Sequence, residues 1–291
     1  MTVPRLRYLA YQTALALPSA LCAVAAAQSV PPGRPYFRLA SVAVVVVLWL
    51  LASARLRRWY FDDRLKDRLR SGHYDEVIAT LTPVFAMATT AETRARFALL
   101  LSTCELERGN QDQALKWLAA IPEEKLTGLA HSMYLTQKAR AIPRPEEALP
   151  VAEEALQASR GGPNEVAALT ARGIVLLRAG RPKEAIRDLE EAMRQAEEAG
   201  GQAAAFAASR LHALAEAYLA AGDNAQALPT LRRVASYAPH IPVVRQARAK
   251  LAALASEEAT GRASAGATLT GAPVNASCPG NNTPTLTDTP P

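Results

Sequence analysis

Aromatic residues make up only 5% of this 291-residue chain, and cysteine occurs three times. So few rings argue against a sandwich core filled by Phe, Tyr and Trp. Three cysteines exclude a disulfide scaffold. Cys22 lies in an apolar run, Cys104 in a helical pattern and Cys278 in a Pro/Gly/Thr-rich tail, and no two have metal-ligand spacing. The chain lacks a Gly-Lys-Ser/Thr phosphate loop, a G-x-S-x-G elbow and an H-E-x-x-H pair. Its four histidines, His73, His131, His212 and His240, are widely scattered. The carboxylate pairs Glu153/Glu154, Glu190/Glu191 and Glu197/Glu198 fall on outward helical faces, where solvation and i,i+4 pairing account for them. No enzyme site, metal or cofactor is expected.

What is present is helix-forming stock. Hydrophobic residues are 49% and charged residues 21% of the chain, rich in Ala, Leu, Arg and Glu. The length allows about two ordinary domains. The net charge of +6 is unevenly spread. Residues 1–70 carry 11 of the 33 Lys and Arg but only 3 of the 27 Asp and Glu, a balance of +8, and the rest of the chain is net −2. The excess brackets two apolar runs, the pattern of a membrane anchor rather than of a nucleic-acid face.

The first run lies between Arg7 and Arg34, the second between Arg38 and Arg55. The second, LASVAVVVVLWLLASA, has 16 residues without charge. Pro31, Pro32 and Gly33 break the chain between them. These features predict a two-helix transmembrane hairpin within residues 1–60, with helices at about 8–28 and 38–55. Arg5 and Arg7 before it, and Arg55, Arg57 and Arg58 after it, place both ends on the cytoplasmic side of a bacterial inner membrane. The juxtamembrane run from Arg55 to Arg70 would rest on membrane lipids, with Trp59, Tyr60 and Phe61 at the interface. A cleaved signal peptide ending near Ala25–Ala27, with a periplasmic array, is the alternative.

From residue 61 to 255 the pattern changes to amphipathic helices separated by short breaks. Leu211, Leu214, Ala215 and Tyr218 share one helical face; Gly222 ends it; Ala227, Leu231 and Val234 begin another; Pro239 closes the unit. Leu169, Gly173, Leu176, Gly180, Ala185, Leu189 and Ala192 repeat the layout, and so do Leu101, Ser102, Gly109, Ala114 and Leu118. The first unit has Gly72, Val77, Leu81 and Val84. The third has Leu135, Ala148, Ala152 and Ala155, with Pro143 where the others carry glycine. Small residues open the second helices at Val77, Ala114, Ala148, Ala185 and Ala227, at spacings of 37, 34, 37 and 42.

This arrangement resembles the tetratricopeptide repeat (TPR), a helix–turn–helix module of about 34 residues. The resemblance implies an all-α solenoid of about five units, with a closing helix near Ile241–Leu254. Arg172 departs from the pattern, standing where the family usually has an aliphatic side chain. The 42-residue spacing predicts a lengthened helix or loop around Glu190–Gln202.

In this family the first helices line a concave groove that binds a peptide segment of a partner protein. The matching positions here are Arg96, Thr103, Met133, Gln137, Arg140, Thr170, Arg178, His212 and Glu216. The arginines among them would favour an acidic or C-terminal carboxylate segment. The Lys/Asn clamp of chaperone-binding members is absent. Residues 256–291 are rich in Gly, Pro, Thr, Ser and Asn, and are expected to be disordered. The expected function is a membrane-anchored scaffold that tethers a partner protein. The alternatives are a structural subunit of a membrane complex and an exported factor in envelope biogenesis.

Overall fold

A computed structural model describes residues 64–88, 90–200 and 203–269, the isolated positions Ala43, Val44 and Val47, and side-chain surroundings as far as residue 256. Among the described residues there are eleven α-helices and no strand. They are α1 (Arg64–Ser71), α2 (Tyr74–Phe85), α3 (Ala91–Glu107), α4 (Gln111–Ala119), α5 (Gly128–Ala141), α6 (Pro145–Ser159), α7 (Glu165–Arg178), α8 (Pro182–Glu198), α9 (Ala204–Ala220), α10 (Asn224–Ala235) and α11 (Pro242–Leu269). One short 3-10 turn, Glu123–Lys125, precedes α5.

The repeat is visible in the packing. Val77, Ala114, Ala148, Ala185 and Ala227 each occupy the fourth position of an even-numbered helix, and each is fully buried. A small side chain there lets the second helix of a unit approach the first closely. Alanine fills much of the remaining interior: Ala98, Ala139, Ala152, Ala168, Ala171, Ala192, Ala208 and Ala217 are also fully buried. Helices packed on alanine need few rings between them, which is how an aromatic-poor chain closes its core.

The turns follow from glycine. At Gly180, φ is +72°, a conformation most L-residues avoid. It lets the Arg181 amide donate to the Leu176 carbonyl at 2.9 Å and the Gly180 amide to that of Leu177 at 3.1 Å, satisfying the end of α7. The same pair of bonds ends α1, α3 and α9. The third unit has no glycine at this point, and its α5 ends at Ile142 in extended backbone.

The long 42-residue interval is taken up by two helices of 17 residues each, α8 and α9. Arg172, the misfit position, finds its reason in Asp188 of α8. The guanidinium donates to both carboxylate oxygens, at 2.6 and 2.7 Å. That pairing raises the arginine's affinity for its proton. A charge at a position the family fills with an aliphatic group is thus neutralised inside the same unit.

The array also returns on itself. α9 packs against α1 as well as against its chain neighbours. A Cβ on Gly72, after α1, would lie 2.8 Å from Ile241 Cγ1 and 3.4 Å from Ala205 Cβ. The His73 and His240 rings stack at 4.1 Å. The ends of residues 64–249 are therefore joined by side-chain packing.

Two expectations are corrected here. Among the described residues no helix is long and apolar enough to cross a membrane. Among the described residues the fold is the helical array alone, and the transmembrane hairpin and the assignment to a bacterial inner membrane with the array at its cytoplasmic face are withdrawn. Apart from Ala43, Val44 and Val47, the spans at 8–28 and 38–55 lie outside the described residues, as does the interfacial run around Trp59–Phe61. At the other end, α11 continues through residues 256–269. Alanine is frequent in that stretch and carries no helix penalty.

Candidate partner-binding surface

The nine positions expected to face a groove divide into two sets. The first set is occupied with bonds inside the array. The Gln137 side chain on α5 is buried between α3 residues: its amide donates to Thr103 Oγ1 at 2.8 Å, and its carbonyl oxygen accepts from Ser102. Thr103 also donates to the Leu99 carbonyl at 2.9 Å. Thr170 is buried and donates to the Val166 carbonyl at 2.7 Å. His212 and Glu216 face each other one turn apart on α9, Nε2 to Oε1 at 3.8 Å.

The arginines are spent similarly. Arg140 pairs with the buried Glu107 carboxylate at 2.9 Å, and Ser209 of α9 donates to the same carboxylate. Arg178 donates to the carbonyls of Ile142 at 2.9 Å and Ala139 at 3.1 Å. These are end carbonyls of α5, the helix that lacks a glycine turn, so a long side chain from α7 does there what backbone amides do in other units. Burial, and then the neighbouring Arg140 cation, lower the Arg178 pKa. Burial and then the Glu107 charge raise that of Tyr74, whose hydroxyl is buried without a hydrogen-bond partner among the described residues.

Arg96 and Met133 form the second set. They line a trough of about 870 Å³, lying between α1, α2, α3, α5 and the segment 122–127. Leu65 and Leu69 form the α1 side; Ala95 and Leu99 face it from α3; Leu129 and Met133 do so from α5. Each of these pairs has the four-residue spacing that puts two side chains on one helical face. Leu129 is 51% exposed. Lys66, Arg96 and Lys125 stand around the trough with one carboxylate, Glu92.

Repeat offsets missed Lys66, Lys125 and Leu129. Lys125 belongs to a 3-10 turn that the repeat pattern does not describe, Leu129 stands at the start of α5 ahead of the matched offsets, and Lys66 is in a degenerate first unit. An unpaired Leu at the start of a helix was the available signal. Among the described residues no group of three or more His, Cys, Asp and Glu could hold a metal ion.

Residues 164–239 match the tetratricopeptide repeat family. The match covers α7 to α10, the two most regular units. TPRs are in general non-catalytic modules for protein–protein interaction, and this array carries that architecture. Neither a curated protein nor a solved structure matches the chain.

Proposed function

We propose that the chain is a protein-interaction scaffold that docks a segment of a partner protein in the trough between α1, α3 and α5. The observation that carries this reading is the trough itself, with the exposed Leu129 in its wall. Arg140 already holds the Glu107 carboxylate, Gln137 holds Thr103, and Arg178, Thr103 and Thr170 hold backbone carbonyls. A ligand reaching them would have to break bonds that support the array. Met133 instead lines a trough whose wall includes the exposed Leu129.

Its volume falls within the range of about 300–1,000 Å³ typical of ligand clefts. Burial of exposed apolar surface such as Leu129 supplies the driving force, at about 25 cal/mol per Å² before the costs of association. His212 and Glu216 on α9 take no part in this reading; they serve the array.

The test is site-specific photo-crosslinking of the full chain in its native cells. A crosslinker replacing Leu129 is expected to capture a protein identifiable by mass spectrometry, and the adduct should disappear in a Met133→Asp background. A crosslinker at Arg187, exposed on α8 far along the array, serves as control. Equal capture from both positions, or none from Leu129, defeats the proposal.

A further inference from the structure

We propose that the His73–His240 stack is a proton-operated clasp: uncharged, it holds the first unit against the end of the fifth, and doubly charged, it releases them. The inference concerns the junction between the ends and does not depend on what the trough binds.

The two rings come from opposite ends of the array. His73 immediately precedes α2, and His240 stands two residues before α11. Their centroids are 4.1 Å apart and their planes 29° from parallel. Both residues are exposed, so protons from water reach them without any opening of the core. His240 Nε2 donates to the Ser71 carbonyl at 2.7 Å. A neutral ring that donates through Nε2 keeps its lone pair on Nδ1. Nδ1 is therefore where His240 takes a second hydrogen, and the Ser71 bond stays in place when it does.

Histidine is the side chain whose charge ordinarily changes between about pH 5 and 8. One imidazolium lying on a neutral ring meets a π-face, which accepts a cation. Two imidazolium rings in the same stack repel, so the contact that joined the ends now pushes them apart. The trigger thus takes both protons. What the repulsion works against is the packing of Gly72 on Ile241 and Ala205, and of α1 on α9.

The surroundings give the added charge no counter-ion. The charged groups on the elements that meet there are Arg64, Lys66, Asp67, Arg68 and Arg70 on α1 and Asp75 and Glu76 at the start of α2. Arg210, His212 and Glu216 lie on α9, Arg232 and Arg233 end α10, and Arg245 and Arg248 lie in α11, with the phenols of Tyr74 and Tyr237 beside them in sequence. Cations outnumber carboxylates in this set. Glu76 pairs with Arg68, Asp75 with Arg108 at 3.1 Å, and Glu216 faces His212. Asp67 is exposed, and among the described residues neither stacked ring pairs with a carboxylate. Arg248 is bonded to the Ala235 and Tyr237 carbonyls just ahead of His240. The stack's contribution to closure is therefore present above the histidine range and is lost as pH falls through it. α1 ends at the clasp and carries Leu65 and Leu69 into the trough, so release also frees one wall of that surface.

The experiment places spin labels at two exposed positions, Ala79→Cys on α2 and Gln246→Cys on α11, in the full chain with Cys22→Ser and Cys278→Ser. Cys104 is buried and stays unlabelled. Pulsed electron–electron distances are measured at about pH 7.5 and about pH 5, which bracket ordinary histidine charging. The distribution is expected to be narrow at the higher pH, to lengthen and broaden at the lower, and to recover on return. His73→Phe keeps a ring in the stack that takes no proton, so its distance should be the same at both pH values. His73→Lys is already charged, so release should need only His240 and begin at a higher pH than in the native chain.

Helical circular dichroism at the lower pH is expected to be unchanged, since the units themselves stay folded. A native distance that ignores pH overturns the clasp. So does an acid response that His73→Phe retains in full, which belongs to other groups, and so does a loss of helical signal in step with the distance, which is acid unfolding of the whole array.

Discussion

The His240 ring meets the Ser71 carbonyl across 169 residues of sequence, Nε2 to oxygen at 2.7 Å. Facing a carbonyl oxygen, Nε2 must carry the hydrogen and donate. The bond sits beside the His73–His240 stack and the contact of Gly72 with Ile241. These contacts hold the first unit against the end of the fifth.

Gly72 is the tightest part of that junction. Its φ is +85°, and an added Cβ would meet Ile241 Cγ1 at 2.8 Å. Ile241 is fully buried, so it has little room to give. Gly72→Ala is expected to cost about 2 kcal/mol, from backbone strain together with the collision. Thermal unfolding should show a fall of roughly 4–8 °C. An unchanged melt would mean that the ends are not locked together.

Gly173 tests the core in the opposite sense. It sits inside α7, where replacing glycine by alanine normally gains up to about 1 kcal/mol of helix propensity. Here the new Cβ would lie 2.7 Å from Leu189 Cγ, and Leu189 is fully buried. Overpacking of that kind costs about 1–3 kcal/mol, so the collision wins. Gly173→Ala should lower the denaturant midpoint rather than raise it.

The Arg172–Asp188 pair should show strong coupling. Removing one partner leaves a half-buried charge unmatched, so Asp188→Ala should cost about 2 kcal/mol. Adding Arg172→Leu should recover part of the loss, because it restores an aliphatic group at a position where the repeat usually has one. Urea titration of both single variants and the double variant gives the coupling directly. A simple sum of the two single effects would show that the pair contributes nothing.

Cys104 is fully buried, and burial, with Glu105 and Glu107 adding to it, pushes its thiol up to about 12 from an ordinary value of 9. In a Cys22→Ser/Cys278→Ser background the native chain should therefore resist thiol reagents at pH 8, and react once unfolded. The linkage has a definite sign. The unfolded thiol ionises near pH 9 and the folded one only near 12, so its contribution is fully present below pH 9. It is lost as pH rises from about 9 toward 12. A native chain labelled as fast as the unfolded one would contradict this burial.

How much of this could be read from residue order differs between the units. The small residues Val77, Ala114, Ala148, Ala185 and Ala227 announced the helix pairs, because a helix that must approach another closely can tolerate little side chain at the crossing. The glycines at 72, 109, 180 and 222 announced the turns, because a positive φ is cheap only for glycine. Offsets along a helix are local quantities, and a repeat makes them recur.

The site was less legible. Offsets select residues that point inward, and Arg140, Arg178 and Gln137 do lie inside the array, bonded within it. An offset cannot say whether an inward side chain meets a ligand or its own neighbour, since that depends on where distant helices come to rest. The Ser209 hydroxyl reaches Glu107 from 102 residues away, and no local pattern encodes that distance.

The residue order by itself determined the helices, their pairing and the repeat, because these depend on contacts within some forty residues. Among the described residues no helix is long and apolar enough to cross a membrane. Tertiary structure alone decided that α9 meets α1, that the inner arginines are consumed, and that the open apolar wall lies around Leu129 and Met133. The physical reason is accumulation: each helix pair sets only its angle to the next, and where the fifth unit arrives is the sum of those small rotations.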